Sequence, residues 1–149
     1  KAQRAGKGVN GICTGAAVML PDGTVVTGKN SATMNAASAV VLNAVKQLAG
    51  IPDKLHLLPP EVIDDIVSLK RDTLGESTTS LNLGELLVAL AISAAANPVA
   101  KAAMESLKEL RGCEMHITRI VAPDDASGLR RIGLRPTSDP VFRSSALAN

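Results

Sequence analysis

The sequence predicts an α+β domain, a layered α/β arrangement in which a small mixed sheet with a β-hairpin packs against about four helices. Three observations predict it. The chain has 149 residues, 46% hydrophobic and 20% charged, the balance and size of one globular domain. A turn signature flanked by β-branched residues stands near the start. Four helical patterns follow, and then a second strand-like stretch.

Residues 1–14 read as a polar, glycine-containing linker with a basic opening at Lys1, Arg4 and Lys7. Residues 15–149 read as a single domain, the C-terminal part of a longer protein. From Gly15 to Gly28 an Ala-Ala-Val-Met-Leu run, the turn Pro21-Asp22-Gly23 and the return Thr24-Val25-Val26-Thr27 make a hairpin. Pro presets φ, Asp bonds the backbone beyond it, and Gly accepts positive φ. A helix is expected from about Thr33 to Ala49, since Met34, Ala37, Val41, Ala44, Val45 and Leu48 recur at helical spacing. Gly50, Ile51 and Pro52 end it. Val40 and Leu42 lie off that stripe, so the helix should touch protein on more than one side.

Leu55–Leu58 reads as a short strand before Pro60 opens a second helix that ends near Arg71. Gly75 to Ser80 is a polar loop. Asn82-x-x-Glu85 has the spacing of a capping box, ahead of a helix that is apolar all round: Leu83, Leu86, Leu87, Leu90, Ala91 and Ala94 on one side, Val88, Ala89 and Ile92 on the other. Asn97-Pro98 starts a fourth helix with Val99, Ala102, Ala103, Leu107 and Leu110 inward, ending at Gly112. Cys113 to Val121 reads as a strand. A short helical turn near Asp125 to Arg131 leads to an extended tail, in which Pro136 and Pro140 exclude a helix.

Composition narrows the function classes. Phe142 is the single aromatic, with no Trp or Tyr, so the stacking platforms of single-strand nucleic-acid binders are missing. The net charge of +2 names no partner. The longest apolar run, Leu86 to Ala96, is far short of the roughly 20 residues of a membrane span. Neither nucleic acid nor membrane is expected as a partner. Two cysteines, Cys13 and Cys113, make no disulfide framework and read as free thiols of a cytoplasmic protein.

Three stretches carry a resemblance: Leu20-Pro-Asp-Gly-Thr-Val-Val-Thr-Gly-Lys29, Ala36-Ala-Ser-Ala-Val-Val-Leu-Asn-Ala-Val-Lys46 and Leu110-Arg-Gly-Cys-Glu-Met-His-Ile-Thr118. They resemble the C-terminal region of the bacterial family called domain of unknown function 1846, or uncharacterised protein family 0371. The similarity runs from about Gly15 to about Phe142 and includes Ala89-Leu-Ala-Ile-Ser-Ala-Ala-Ala-Asn-Pro98. It implies a longer cytoplasmic protein whose N-terminal part is nucleotide-binding-like, with a Gly-x-Gly-x-Gly-Lys type stretch absent here. It implies no particular reaction and no particular cofactor.

The first candidate site is Thr27, Gly28, Lys29, Asn30 and Ser31. A strand handing over to a helix N-terminus presents free N–H groups and a positive dipole end, a seat for phosphate or carboxylate to which Lys29 adds charge. It is not a Walker A loop, because the residues before Gly28 form a hairpin strand. Read structurally, Gly28 turns the chain, Asn30 or Ser31 caps the helix, and Lys29 is solvated.

The second candidate is His116, with Arg111, Cys113 and Thr118 near it. His116 offers acid or base chemistry and Cys113 a nucleophile, but strand alternation points the two to opposite faces. A buried cysteine and a hydrogen-bonded histidine are the structural alternative. Asp64-Asp65 and Asp124-Asp125 read as surface and capping residues, and His56 has no metal-spaced partner; no metal is expected. The opening Gly15-Ala-Ala-Val-Met-Leu-Pro-Asp-Gly23 is similar to the start of the cytidine-deaminase fold. The zinc motif of that fold is missing, since Asn35-Ala36-Ala37 stands at the helix start and no Cys-x-x-Cys follows.

Two functions are compatible with these residues. In one, the domain lends an anion contact to a ligand site shared with the N-terminal region of the same protein. In the other it is a homo-oligomerising module acting through the apolar helices around Val40 and Leu90.

Overall fold

The computed structural model describes residues 13–139. Four strands form one sheet: β1 (Gly15–Met19), β2 (Val25–Lys29), β3 (Glu114–Ile117) and β4 (Arg135–Ser138), in the order β2-β1-β3-β4. The first three pair antiparallel and β4 joins β3 in parallel, so the sheet is mixed. The helices are α1 (Ala36–Leu48), α2 (Pro60–Ser68), α3 (Leu83–Ala94), α4 (Pro98–Glu105) and α5 (Pro123–Ile132). This is the expected α+β class; α5 stands where a helical turn near Asp125 to Arg131 was expected, and β4 is a strand formed within the expected extended tail. Part of the expected linker, the tail beyond Asp139 and the lone aromatic Phe142 lie outside the described residues.

The hairpin forms as its turn chemistry dictates. The Thr24 N–H donates to Asp22 Oδ1 at 2.9 Å, and Gly23 takes φ of 89°. Those bonds from Thr24, backbone first, hold the Asp22 carboxyl below the usual aspartate range. Val18 on β1 is fully buried, and Met115 and Ile117 alternate with exposed Glu114 and His116 on β3.

α1 begins later than its periodicity suggested. Asn35 caps it, accepting from the Ser38 N–H at 2.9 Å. Ser31 to Met34 is instead held in an irregular loop, where Ser31 Oγ accepts from the Met34 N–H at 3.2 Å and Met34 bridges to Leu81. At the other end Gly50 takes φ of 70° and the Ile51 N–H returns to the Lys46 carbonyl at 2.8 Å, the expected C-terminal stop. Val40 is buried and Leu42 partly so, as expected of a helix touching protein on two sides.

The expected strand at Leu55–Leu58 is absent: the segment is bent and irregular, with Leu57 and Leu58 in the core. Its backbone is held by a side chain instead. Lys46 Nζ donates to the carbonyls of Asp53 and Leu55, both at 2.7 Å. α2 runs from Pro60 and widens into a π-helical turn, Leu69–Thr73, so the helical stretch passes Arg71. That turn carries Lys70 inward, where Nζ bonds the Ser80 carbonyl at 2.7 Å and Glu85 Oε1 at 2.8 Å. Both halves of the Asn82–Glu85 capping box form on α3.

α4 is rotated from the expected phase, with Ala100 and Ala103 buried while Val99 and Ala102 face out. Its continuation as a 3-10 segment, Ser106–Leu110, shifts the spacing so that Ser106 and Leu110 complete the inner face. The core is aliphatic and tight, small alanines on α1, α3 and α4 lying among Leu81, Leu83, Leu86, Leu90 and Leu110. Each buried leucine contributes about 1.5–3 kcal/mol. Among the described residues no helix is long and apolar enough to cross a membrane.

Candidate functional site

α1 covers one face of the hairpin at unusually short range. A Cβ on Gly28 would lie 2.4 Å from the Val40 nitrogen and 2.8 Å from the Ala39 carbonyl carbon, so only glycine lets the helix down onto β2. Val26 packs on the same side. Strand alternation therefore puts Val25, Thr27 and Lys29 on the opposite face. The pairing carries that face across the sheet. Thr27 stands beside Ala17, Ala17 beside His116, and His116 beside Thr137. Lys29 stands beside Gly15, and Val25 beside Met19.

Thr27, Lys29 and His116, taken from two distant stretches of sequence, thus share one sheet face, the one opposite α1, with only Gly15 and Ala17 between them. With neighbouring strands about 4.8 Å apart, Thr27 and His116 stand about 10 Å from each other. Gly28 belongs to the other face, where it is a packing residue.

The remaining loop residues are engaged locally. Asn30 is buried, its Oδ1 accepting from the Thr14 N–H at 2.9 Å. The Ser31 hydroxyl sits 3.2 Å from that of Thr33, and the Ser31 carbonyl accepts from Ser80 Oγ at 3.0 Å. Neither residue caps α1, and Lys29 stands on the strand, removed from the helix N-terminus by the Ser31–Met34 loop. That terminus already has an anion. Asp125, nearly fully buried, accepts from Asn35 Nδ2 at 2.7 Å and from the Leu83 N–H at 3.0 Å, lying between the starts of α1 and α3. The reading of Asp125 as a surface residue is therefore corrected, while Asp124, Asp64 and Asp65 are exposed.

His116 has both ring nitrogens engaged: Nδ1 is 2.7 Å from Thr137 Oγ1 and Nε2 is 2.9 Å from Asp139 Oδ1. The Thr137 hydroxyl also lies 3.2 Å from the Met115 carbonyl. Each ring nitrogen of His116 therefore has a hydrogen-bonding partner within the domain. Cys113 is buried on the inner side, 3.8 Å from the Glu109 carbonyl, and burial pushes its thiol above the ordinary range. The two residues form no dyad. Neither cysteine forms a disulfide, and among the described residues no three metal-ligating side chains gather.

The model of one protein family, "Domain of unknown function DUF1846, C-terminal", matches residues 1–147. The chain belongs to that family.

Curated relatives agree. A "UPF0371 protein" of Clostridium botulinum (strain Alaska E43 / Type E3) is 46% identical over 138 residues, 93% of this chain and 28% of its own length. One of Clostridium tetani is 45% identical over 131 residues, 88% of this chain and 26% of its own. One of Clostridioides difficile (strain 630) is 45% identical over 138 residues, again 28% of its own length. The chain thus spans about a quarter of the length of these relatives, as befits a DUF1846 C-terminal domain within a larger protein.

Topology sets where the described chain enters and leaves the sheet. β1 is entered from Cys13–Thr14, β3 leaves through Thr118, and β4 ends at Ser138–Asp139, whose N–H bonds the Ile117 carbonyl at 3.1 Å. The hairpin's far end, Lys29–Asn30, pairs back to Thr14–Gly15. Both ends of the described chain, Lys29 and Asp139 therefore stand at one end of the sheet. Sequence reading identified Thr27, Lys29 and His116 one by one. Asp125, Lys46 and Lys70 it missed, because their partners are backbone groups or distant residues that leave no local pattern.

Proposed function

We propose that this DUF1846 domain lends one wall to a ligand site completed by the preceding region of the longer, cytoplasmic protein. In that site Lys29 is the anion contact, and Thr27 and His116 are polar neighbours on the same wall. One observation carries the reading: the three residues share the sheet face opposite α1, beside the end at which the described chain enters and leaves the sheet. No described acidic side chain pairs with Lys29, so its ammonium is available to a phosphate or carboxylate. Asn30 and Ser31 act in this site by fixing the loop that follows Lys29.

The test is thermal stabilisation of the full-length protein by nucleotides, phosphosugars and inorganic phosphate. A ligand at a hundred times its dissociation constant adds about 2.7 kcal/mol. Stabilisation lost in Lys29→Ala, with an unchanged circular dichroism spectrum, is the expected result; an undiminished shift in that variant removes Lys29 from the site.

A second reading has its own observation. On α3 Val88 and Ile92 are each 61% exposed, and with exposed Ala91 and Ala95 they make an uncharged stripe at helical spacing. In that reading the domain self-associates through α3. Val40 and Leu90 take no part, since both are buried within the domain.

A further inference from the structure

At its hairpin end the sheet face opposite α1 is apolar and exposed. Met19 and Val25 are each 54% exposed and stand directly opposite each other. The Leu20–Thr24 backbone bond next to them makes theirs a non-hydrogen-bonded pair, the kind whose side chains approach most closely. Beside them the face is flat, because Ala17 and Gly15 raise almost nothing above the backbone, and a Cβ on Gly15 would meet its first neighbour only at 3.9 Å. On the opposite face the same sheet is closed by α1.

We infer that this face is the docking surface for the preceding region of the same polypeptide, with Met19 and Val25 as its apolar contact and Ala17 as the point of closest approach. The matched relatives are several times longer than this chain, and the matching family model is that of a C-terminal domain. Most of the longer protein therefore precedes this domain and arrives at Cys13, at the head of β1, the strand that carries Gly15, Ala17 and Met19. A region joined covalently to the head of β1 is held at a raised effective concentration near this face. The inference rests on the shared-site reading only in taking its partner from the same polypeptide, and it requires no ligand.

Methionine oxidation tests it. The full-length protein, without ligand, is treated with dilute peroxide and each methionine followed by peptide mass. A covered face makes Met19 oxidise at a rate close to that of Met115, which is only 3% exposed and serves as the internal standard. An open face makes Met19 react well ahead of Met115 and overturns the inference. Protection that disappears on dilution identifies a second copy as the cover and overturns it too. Ala17→Arg in the full-length protein should restore fast oxidation of Met19 while Met115 stays slow, and continued protection in that variant shows the cover to lie elsewhere. The Lys29→Ala ligand test can fail while Met19 remains protected, so the two readings fail separately.

Discussion

At Gly28 the whole side chain is a hydrogen, and α1 uses the space. Its backbone lies so near that an added methyl would have to displace main chain at Val40 and Ala39, with no flexible side chain to give way. Gly28→Ala is expected to lose about 3 kcal/mol, the upper part of the range for overpacking. Gly15→Ala, whose Cβ meets its first neighbour at 3.9 Å, should stay within about 0.5 kcal/mol. Urea unfolding of both variants checks this, and equal losses would mean that the close approach at Gly28 is relaxed at no cost. The sequence placed Gly28 in a turn or a phosphate loop; a glycine that serves a helix packed from above leaves the same letter. Lys29 and His116 were legible as candidates by residue type alone. That they share a face was not, since it depends on β3 returning to β1 from a hundred residues away.

The starts of three helices meet at a single carboxylate. Asp125, in the first turn of α5, takes the Leu83 N–H at the head of α3 and the amide of Asn35, whose other atom caps α1. A carboxylate there complements the positive ends of the helices and leaves each donor satisfied. Asp125→Asn turns one acceptor into a donor facing Asn35 Nδ2, and should cost about 1.5–3 kcal/mol, the worth of a hydrogen bond to a charged group. A midpoint in urea unchanged from the parent protein would show that the three termini are held by packing alone. Elements whose signals are local were readable: the Pro-Asp-Gly turn, the Asn82–Glu85 box and the Gly50 stop. Those that rely on distant partners were not. Lys46 substitutes for the strand expected at Leu55–Leu58, and β4 exists because β3 offers it an edge, where Pro136 needs no inward N–H.

Among the described residues the molecule closes its core but leaves apolar side chains exposed, among them Met19 and Val25 on the sheet face and the α3 stripe at Val88 and Ile92. If the α3 stripe joins two copies, light scattering of the full-length protein gives a dimer mass that falls to the monomer in Ile92→Glu; a monomer mass in the parent protein at tens of micromolar removes that reading. The sequence named the fold class because composition and periodicity report how much chain is helical and where turns fall. Strand order and surface pairing depend on the assembled whole. That order also sets a timetable. β1 lies inside the sheet, yet the partner on its second side, Ile117 against Ala16, is about a hundred residues further along. At ribosomal speeds of about 5–20 residues per second the hairpin waits roughly 5–20 s with one long side bare. During that interval the edge of β1 is open to any other extended chain. If a region folds ahead of the hairpin, as the proposed shared site requires, that region is the nearest shelter for the edge while the domain is still being made.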